Sequence, residues 1–275
     1  MDALDLMTNF RGIGWDWSHG LYIPHDTRPT HRLGFAFHTL LSAAGNVFLC
    51  SIFHQVVQTL TRTSSPTPSI FDDTLPRPVR DLRAGIIAVA AALVTHAGTQ
   101  MTYQLATLVG VLVFRQDPAQ WPPAFDRPWC ATSLSALWGR RWHQAFRHTL
   151  RVCAAPFGRA WGVPAAFVVS GLVHHCILRA YDARTAAWRM LVGFGMMAPG
   201  VLAERAYCRA TGRRVGGVLG WVWTMTWMLV WGSVIVEGFV RAGMYAQPNA
   251  VDGDSPLLAR VARWVVQFDT WLHAV

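Results

Sequence analysis

Five long apolar stretches, separated by polar connections rich in proline and arginine, organise the chain. They run over about Leu33–Leu60, Ala84–Phe114, Val163–Leu178, Ala186–Ala203 and Gly216–Val240. A bilayer core is crossed by about 20 predominantly apolar residues of helix, with tilt absorbing the excess. The pattern therefore predicts an all-α, polytopic membrane protein with about five spans. Polar residues inside the first two stretches (His38, Asn46, His54, His96, Gln100, Gln104) are expected to bond from helix to helix, or to line a path. The last stretch carries Trp221, Trp223, Trp227 and Trp231, more than an interfacial aromatic belt requires. At its end Glu237 and Arg241 are spaced as an i,i+4 pair able to snorkel together. Beyond Pro256, Leu257, Val261, Trp264, Val265, Phe268 and Leu272 recur at helical spacing and predict an interfacial amphipathic helix. The connections include Ser64-Ser65-Pro66-Thr67-Pro68, then Pro76 and Pro78. A second runs from Arg115 to about Thr132, with Trp121 and Trp129 as interfacial anchors.

Composition sharpens this picture. Of 275 residues, 52% are apolar and 14% charged, against about 25% charged in soluble domains. All 24 basic residues are arginine, and the net charge is +9. The arginines flank the apolar stretches instead of gathering into one stripe, so the partner they imply is a lipid bilayer and not nucleic acid. Alternate connections carry similar numbers and set no clear orientation. Residues 1–32 are not read as a signal peptide, since Asp2 and Asp5 stand where a basic n-region belongs. The five cysteines contain no C-x-x-C pair and are read as small packing residues. No metal site is expected.

Two segments carry candidate chemistry. In Ser133–Val152, Leu134, Leu137, Trp138, Trp142, Ala145 and Phe146 share one face of an amphipathic helix expected at the interface. Arg140, His143, Gln144, Arg147 and Arg151 fall largely on the other face. This is either a lipid-surface anchor or a phosphate site, because a guanidinium fork fits phosphate bidentately. The second segment, Ser170-Gly171-Leu172-Val173-His174-His175, lies inside an apolar stretch. An intramembrane histidine is costly and marks a functional site by default. His174 shares a helix face with Ser170, His175 points about 100° away, and Gly171 admits a close neighbour. A histidine of ordinary pKa suits the activation of a hydroxyl for attack on a thioester carbonyl. An acyl-enzyme through Ser170 is a minor variant.

These residues resemble a known family. Trp138-Gly139-Arg140-Arg141-Trp142-His143 is similar to the F-W-G-R-R-W-[HN] motif of wax synthase-like proteins, within the membrane-bound O-acyltransferase superfamily. Ser170-Gly171-Leu172-Val173-His174 resembles that family's S-G-x-x-H element. Arg11-Gly12-Ile13-Gly14-Trp15-Asp16-Trp17 resembles a stretch of fungal relatives that precedes both. The resemblance implies a single acyltransferase domain over residues 1–275, with the family's usual preceding helices absent, in a membrane of endoplasmic-reticulum type. It implies His174 as the catalytic histidine and His143 as its motif partner. Arg140, Arg141, Arg147, Trp138, Trp142 and Ser170 become candidates for binding substrate or CoA. No cofactor is implied beyond acyl-CoA as co-substrate. The favoured reaction moves acetyl from acetyl-CoA to a hydroxylated lipophilic acceptor, a terpenoid or other specialised metabolite. Wax-ester synthesis from long-chain acyl-CoA and a fatty alcohol is the alternative, and a transporter or other non-enzymatic membrane protein is the second. A di-iron hydroxylase is disfavoured, because the 11 histidines are dispersed and His143 and His148, five apart, do not share a helix face.

Overall fold

The computed structural model describes residues 9, 11–16, 20–62, 68–246 and 255–274, without the side chains of residues 159 and 160. Asp2, Asp5, Trp17 and the Ser64–Thr67 part of the first connection lie outside the described residues. Within them the chain is helical, with no strand: α1 Arg32–Arg62, α2 Arg77–Leu108, α3 Arg147–Ala154, α4 Gly158–Arg179, α5 Trp188–Gly195, α6 Met197–Thr211, α7 Gly217–Arg241 and α8 Pro256–Ala274. Among the described residues four helical runs are long and apolar enough to cross a membrane: Arg32–Arg62, Arg77–Val113, Trp161–Arg179 and Gly217–Arg241. The second continues past α2 through a π-helical turn, Val109–Val113.

The fifth expected span departs from prediction. Ala186–Ala203 forms two helices, α5 and α6, interrupted at Met196. Pro199 is the cause: it has no N–H to offer the carbonyl of Gly195 and its ring crowds that carbonyl. At the interruption the indole N–H of Trp227 donates to the Met196 carbonyl (3.0 Å).

The chain folds as two compact units. One comprises residues 1–42, 102–170 and 195–227, the other residues 43–101, 171–194 and 228–275. In the second unit Val57, Leu60, Ile70, Ile87, Ala91, Val236 and Val240 form the buried core. The alanine-rich middle of α2 suits both helix propensity and close packing. Fully buried Arg83 reaches Asp269 of α8 (Nε–Oδ1 2.6 Å) and the Leu60 carbonyl (2.5 Å). Glu237 and Arg241 do pair, but Glu237 does not snorkel. It is buried, accepting the hydroxyl of Ser69 (2.9 Å) and the N–H of Ile70 (2.8 Å). A buried carboxylate needs such donors, and they come from a segment distant in sequence.

In the first unit the connection 115–132 folds around its own side chains. Asp117 and Gln120 cap the turn Pro118–Gln120. Trp121 is no free anchor, since its ring packs onto Gly110 and its indole donates to Gln116 (3.0 Å). Trp129 is exposed, as expected of an anchor, and its carbonyl accepts the indole N–H of Trp221 (2.8 Å). Arg11 is buried and donates to the carbonyls of Pro122 (3.0 Å) and Pro123 (3.1 Å). Burial holds its guanidinium below the ordinary value. Gln104 bonds to Ser42 between α2 and α1 (2.7 Å), the helix-to-helix role expected of it. None of the five cysteines is disulfide-bonded; Cys130, Cys153 and Cys176 are exposed, while Cys50 and Cys208 are partly buried. The packing role therefore fails for the three exposed thiols.

Candidate active site

The segment Ser133–Val152 is not one helix. A single α-turn, Leu134–Ala136, passes into a π-helical turn, Leu137–Arg141, and the backbone then extends at Trp142 (φ −75°, ψ 155°). Helix resumes only at Arg147. The carbonyls that a continuous helix would use internally are taken by other donors. Buried Gln144 donates to the carbonyls of Trp138 (3.3 Å) and Trp142 (2.8 Å), Arg147 to that of Gly139 (3.3 Å). The N–H of Asp126 takes the Arg141 carbonyl (2.9 Å). Periodicity carries the first turn; side-chain competition for the backbone ends it.

This break gathers Trp138, Trp142 and His143. The two indoles meet edge to face with centroids 6.0 Å apart, and Trp138 meets Phe167 of α4 at 5.8 Å. The His143 ring lies among Phe125 (5.6 Å), Trp142 (5.7 Å) and Phe146 (5.9 Å). Such a setting fixes an imidazole by shape.

The three candidate arginines are not equivalent. Arg141 donates to the Asp126 carbonyl (3.0 Å) and lies 3.8 Å from the Asp126 carboxylate, so much of its role is to hold the connection. Asp126 also accepts the Tyr22 hydroxyl (2.8 Å), a bond that pushes this phenol up from its ordinary pKa. Arg140 is exposed, with its guanidinium 5.9 Å from the Tyr22 ring centroid. Arg147 is partly buried on α3. Burial first, then the charges of Arg151 and Arg140, lowers its pKa. Arg140, Arg147 and Arg151 thus form a field of like charge, the electrostatics that an anionic phosphate relieves.

His174 and Ser170 lie one turn apart on α4, on the same face. His174 is half-buried in the second unit. Its ring stacks on Phe194 of α5 with centroids 4.2 Å apart and planes 29° apart, and Phe239 of α7 meets it at 6.5 Å. Gly171 makes the stacking possible. A Cβ there would lie 2.9 Å from the Met190 carbonyl oxygen and 3.3 Å from the Leu191 Cα, so α5 approaches α4 as closely as a missing side chain allows. Neighbouring His175 keeps its Nδ1 sealed from solvent and without a hydrogen-bond partner. The structure therefore brings Trp138, Trp142 and His143 together in one unit and places His174 among aromatic rings in the other.

Sequence reading passed over Phe194 and Phe239, ordinary members of apolar runs, Phe125, in the proline-rich connection, and Glu204, a buried carboxylate on α6. Glu204 had one signal, an acid directly after an apolar run.

Comparison with known proteins bears on this region. Residues 121–195 match the "Membrane bound O-acyl transferase family". The chain is 28% identical over 145 residues to "Acetyltransferase ple2" of Rhodocybe pseudopiperita, covering 53% of this chain and 36% of that protein. It is 25% identical over 270 residues to "O-Mevalon transferase macI" of Penicillium terrestre, covering 86% and 61%. A plant relative, "Probable long-chain-alcohol O-fatty-acyltransferase 9" of Arabidopsis thaliana, is 28% identical over 146 residues, covering 44% and 41%. The chain thus spans 36% and 61% of the lengths of the first two. No solved structure matches it.

Proposed function

From its kinship with the membrane bound O-acyl transferase family, carried by residues 121–195, we propose that this chain transfers an acyl group from acyl-CoA to a hydroxyl. Acetyl-CoA is the donor and a lipophilic alcohol, a terpenoid or similar specialised metabolite, the acceptor. One observation carries the reading: the matched segment holds His174 inside a helix apolar enough to cross a membrane, stacked on Phe194 and set beside a close helix contact at Gly171.

In the reaction, His174 takes the proton of the acceptor hydroxyl while its oxygen attacks the thioester carbonyl. The new C–O bond forms, the C–S bond breaks, and the leaving CoA thiolate recovers a proton to give ester and free CoA. General-base catalysis of this kind contributes about 10²–10⁴-fold. His143 and the indoles of Trp138 and Trp142 shape the motif, and Arg140 and Arg147 supply positive charge for the CoA phosphates. Ser170 lines the same helix face as His174. The chain needs no cofactor in this scheme. Its membrane setting rests on the four apolar helices, and the endoplasmic reticulum on the family resemblance alone.

The fungal relatives named acetyltransferase or O-mevalon transferase favour a small acyl group and a specialised acceptor. The plant relative favours the second reading, long-chain acyl-CoA and a fatty alcohol, over a smaller share of the chain. One experiment tests both. Microsomes containing the protein receive acetyl- or palmitoyl-CoA with hydroxylated terpenoids or fatty alcohols, beside His174→Ala. Acetyl ester that disappears in His174→Ala is expected; palmitoyl ester instead establishes the second reading. Transfer undiminished by the substitution removes His174 from the mechanism.

A further inference from the structure

We propose that Glu204, on α6, is a positioning residue that sets the start of the Trp138–His143 segment and, through it, affinity for the acyl donor. The donor half of this inference rests on the acyl-CoA reading above.

Glu204 is buried, and no cation pairs with it among the described residues. A carboxylate in that position is costly unless hydrogen bonds replace its hydration. Three donors do so: the backbone N–H of Leu134 (2.5 Å), that of Ser135 (2.9 Å) and the indole N–H of Trp223 (3.1 Å). Those two backbone groups open the turn Leu134–Ala136. The N–H of Ala136 is taken by Ser133 Oγ (3.0 Å), and that of Leu137 by the Ser133 carbonyl (2.9 Å). Every N–H of the turn's start is therefore assigned, two of them to one side chain from a different helix.

A second contact fixes the same register. Gly200 lies one turn before Glu204 on α6, hence on the same face. A Cβ there would run into Leu134 and lie 2.8 Å from the Trp227 ring. Leu134 itself is fully buried. One face of α6 thus holds residue 134 twice, by its N–H through Glu204 and by its side chain through Gly200. Sliding the segment by one residue would lose both. Trp138 and Gly139 follow in the next turn, then Arg140, Arg141 and His143, so an error at the start is carried into the motif. Misplacement by about 1 Å can cost about 10²-fold in a positioned site.

The test compares wild type with Glu204→Gln and Glu204→Asp in nanodiscs. Hydrogen–deuterium exchange is read over residues 133–143 and over 257–272, and steady-state kinetics are measured with donor and acceptor varied separately. In Glu204→Gln the amide group can replace only one acceptor oxygen and turns N–H towards N–H. Faster exchange confined to 133–143 is expected, with KM for acyl-CoA raised about tenfold to a hundredfold and KM for the alcohol unchanged. Glu204→Asp keeps the charge but is one methylene short and falls between; it also serves if Glu204→Gln does not fold. Unchanged exchange at 133–143 overturns the inference. So does faster exchange with donor KM unchanged, the signature of a purely structural carboxylate. A wild type that transfers nothing from any donor overturns the acyl-CoA reading itself, and the donor half with it.

Discussion

Replacing Gly171 by alanine sets two effects of known size against each other. In a helix interior alanine is favoured over glycine by about 1 kcal/mol. Against this, the new methyl would lie 2.9 Å from the Met190 carbonyl oxygen and 3.2 Å from its carbon. Those atoms are backbone, so α5 must retreat; overpacking of this kind costs about 1–3 kcal/mol. Sterics should win, leaving Gly171→Ala less stable by about 1 kcal/mol. Gly232, inside α7, is the internal control. Its added Cβ meets nothing within 4 Å, so Gly232→Ala keeps the propensity gain alone and should be more stable by about 0.5–1 kcal/mol. At about 2–4 °C per kcal/mol in domains of roughly this size, the apparent Tm values in one detergent should bracket wild type. Because Gly171 also sets the approach of α5, and with it the Phe194 ring under His174, the proposed acyl transfer should be lost in Gly171→Ala and kept in Gly232→Ala. Equal stabilisation by both substitutions would refute the close approach.

Other outcomes follow from local chemistry. His273 lies 3.2 Å from Asp72. The Asp269 carbonyl, and after it Asp72, raises the His273 pKa; burial opposes but Thr74 and His273 lower that of Asp72. The His273 contribution is therefore complete below its unfolded value of about 6.5 and fades as pH rises through the higher folded one. That of Asp72 holds above about 3.9 and fades on acidification through its lower folded value. Apparent Tm should fall from mildly acidic towards alkaline pH, and His273→Gln should flatten that fall; an unchanged slope would contradict the pairing. Asp269→Asn strands the charge of fully buried Arg83 and should cost about 3–5 kcal/mol, read as lost folded yield. Ser133→Ala removes the cap of the motif's first turn and should cost about 1 kcal/mol by denaturant midpoint.

Much of the fold was legible because lipid leaves a helix few options. The runs 33–60, 84–114, 163–178 and 216–240 correspond to helices that end within a few residues of them, apart from the start of α2 at Arg77. Close approach at Gly171 was equally readable, since a lone glycine beside histidines has little other use in a span. Elsewhere hydropathy could not see which partner a backbone carbonyl would take. Pro199 breaks Ala186–Ala203 through the carbonyl of Gly195, and Gln144 and Arg147 break Ser133–Val152 through those of Trp138, Trp142 and Gly139. Glu237 was read as a surface pair because its other partners, Ser69 and Ile70, stand 167 or more residues away. Glu204 was missed for the same reason, its two backbone donors lying 69 and 70 residues back.

Three of the four tryptophans of α7 have a use in the laboratory. Trp221 donates to Trp129 of the connection, Trp223 to Glu204, and Trp227 to the break at Met196. Each indole N–H thus has a different acceptor: the end of a loop, a carboxylate, the interruption of a helix. With ¹⁵N-labelled indoles the three resonances become separate gauges of one unit. Substituting phenylalanine at each position in turn would assign them. Local loosening could then be watched spectroscopically, before any loss of activity announced it.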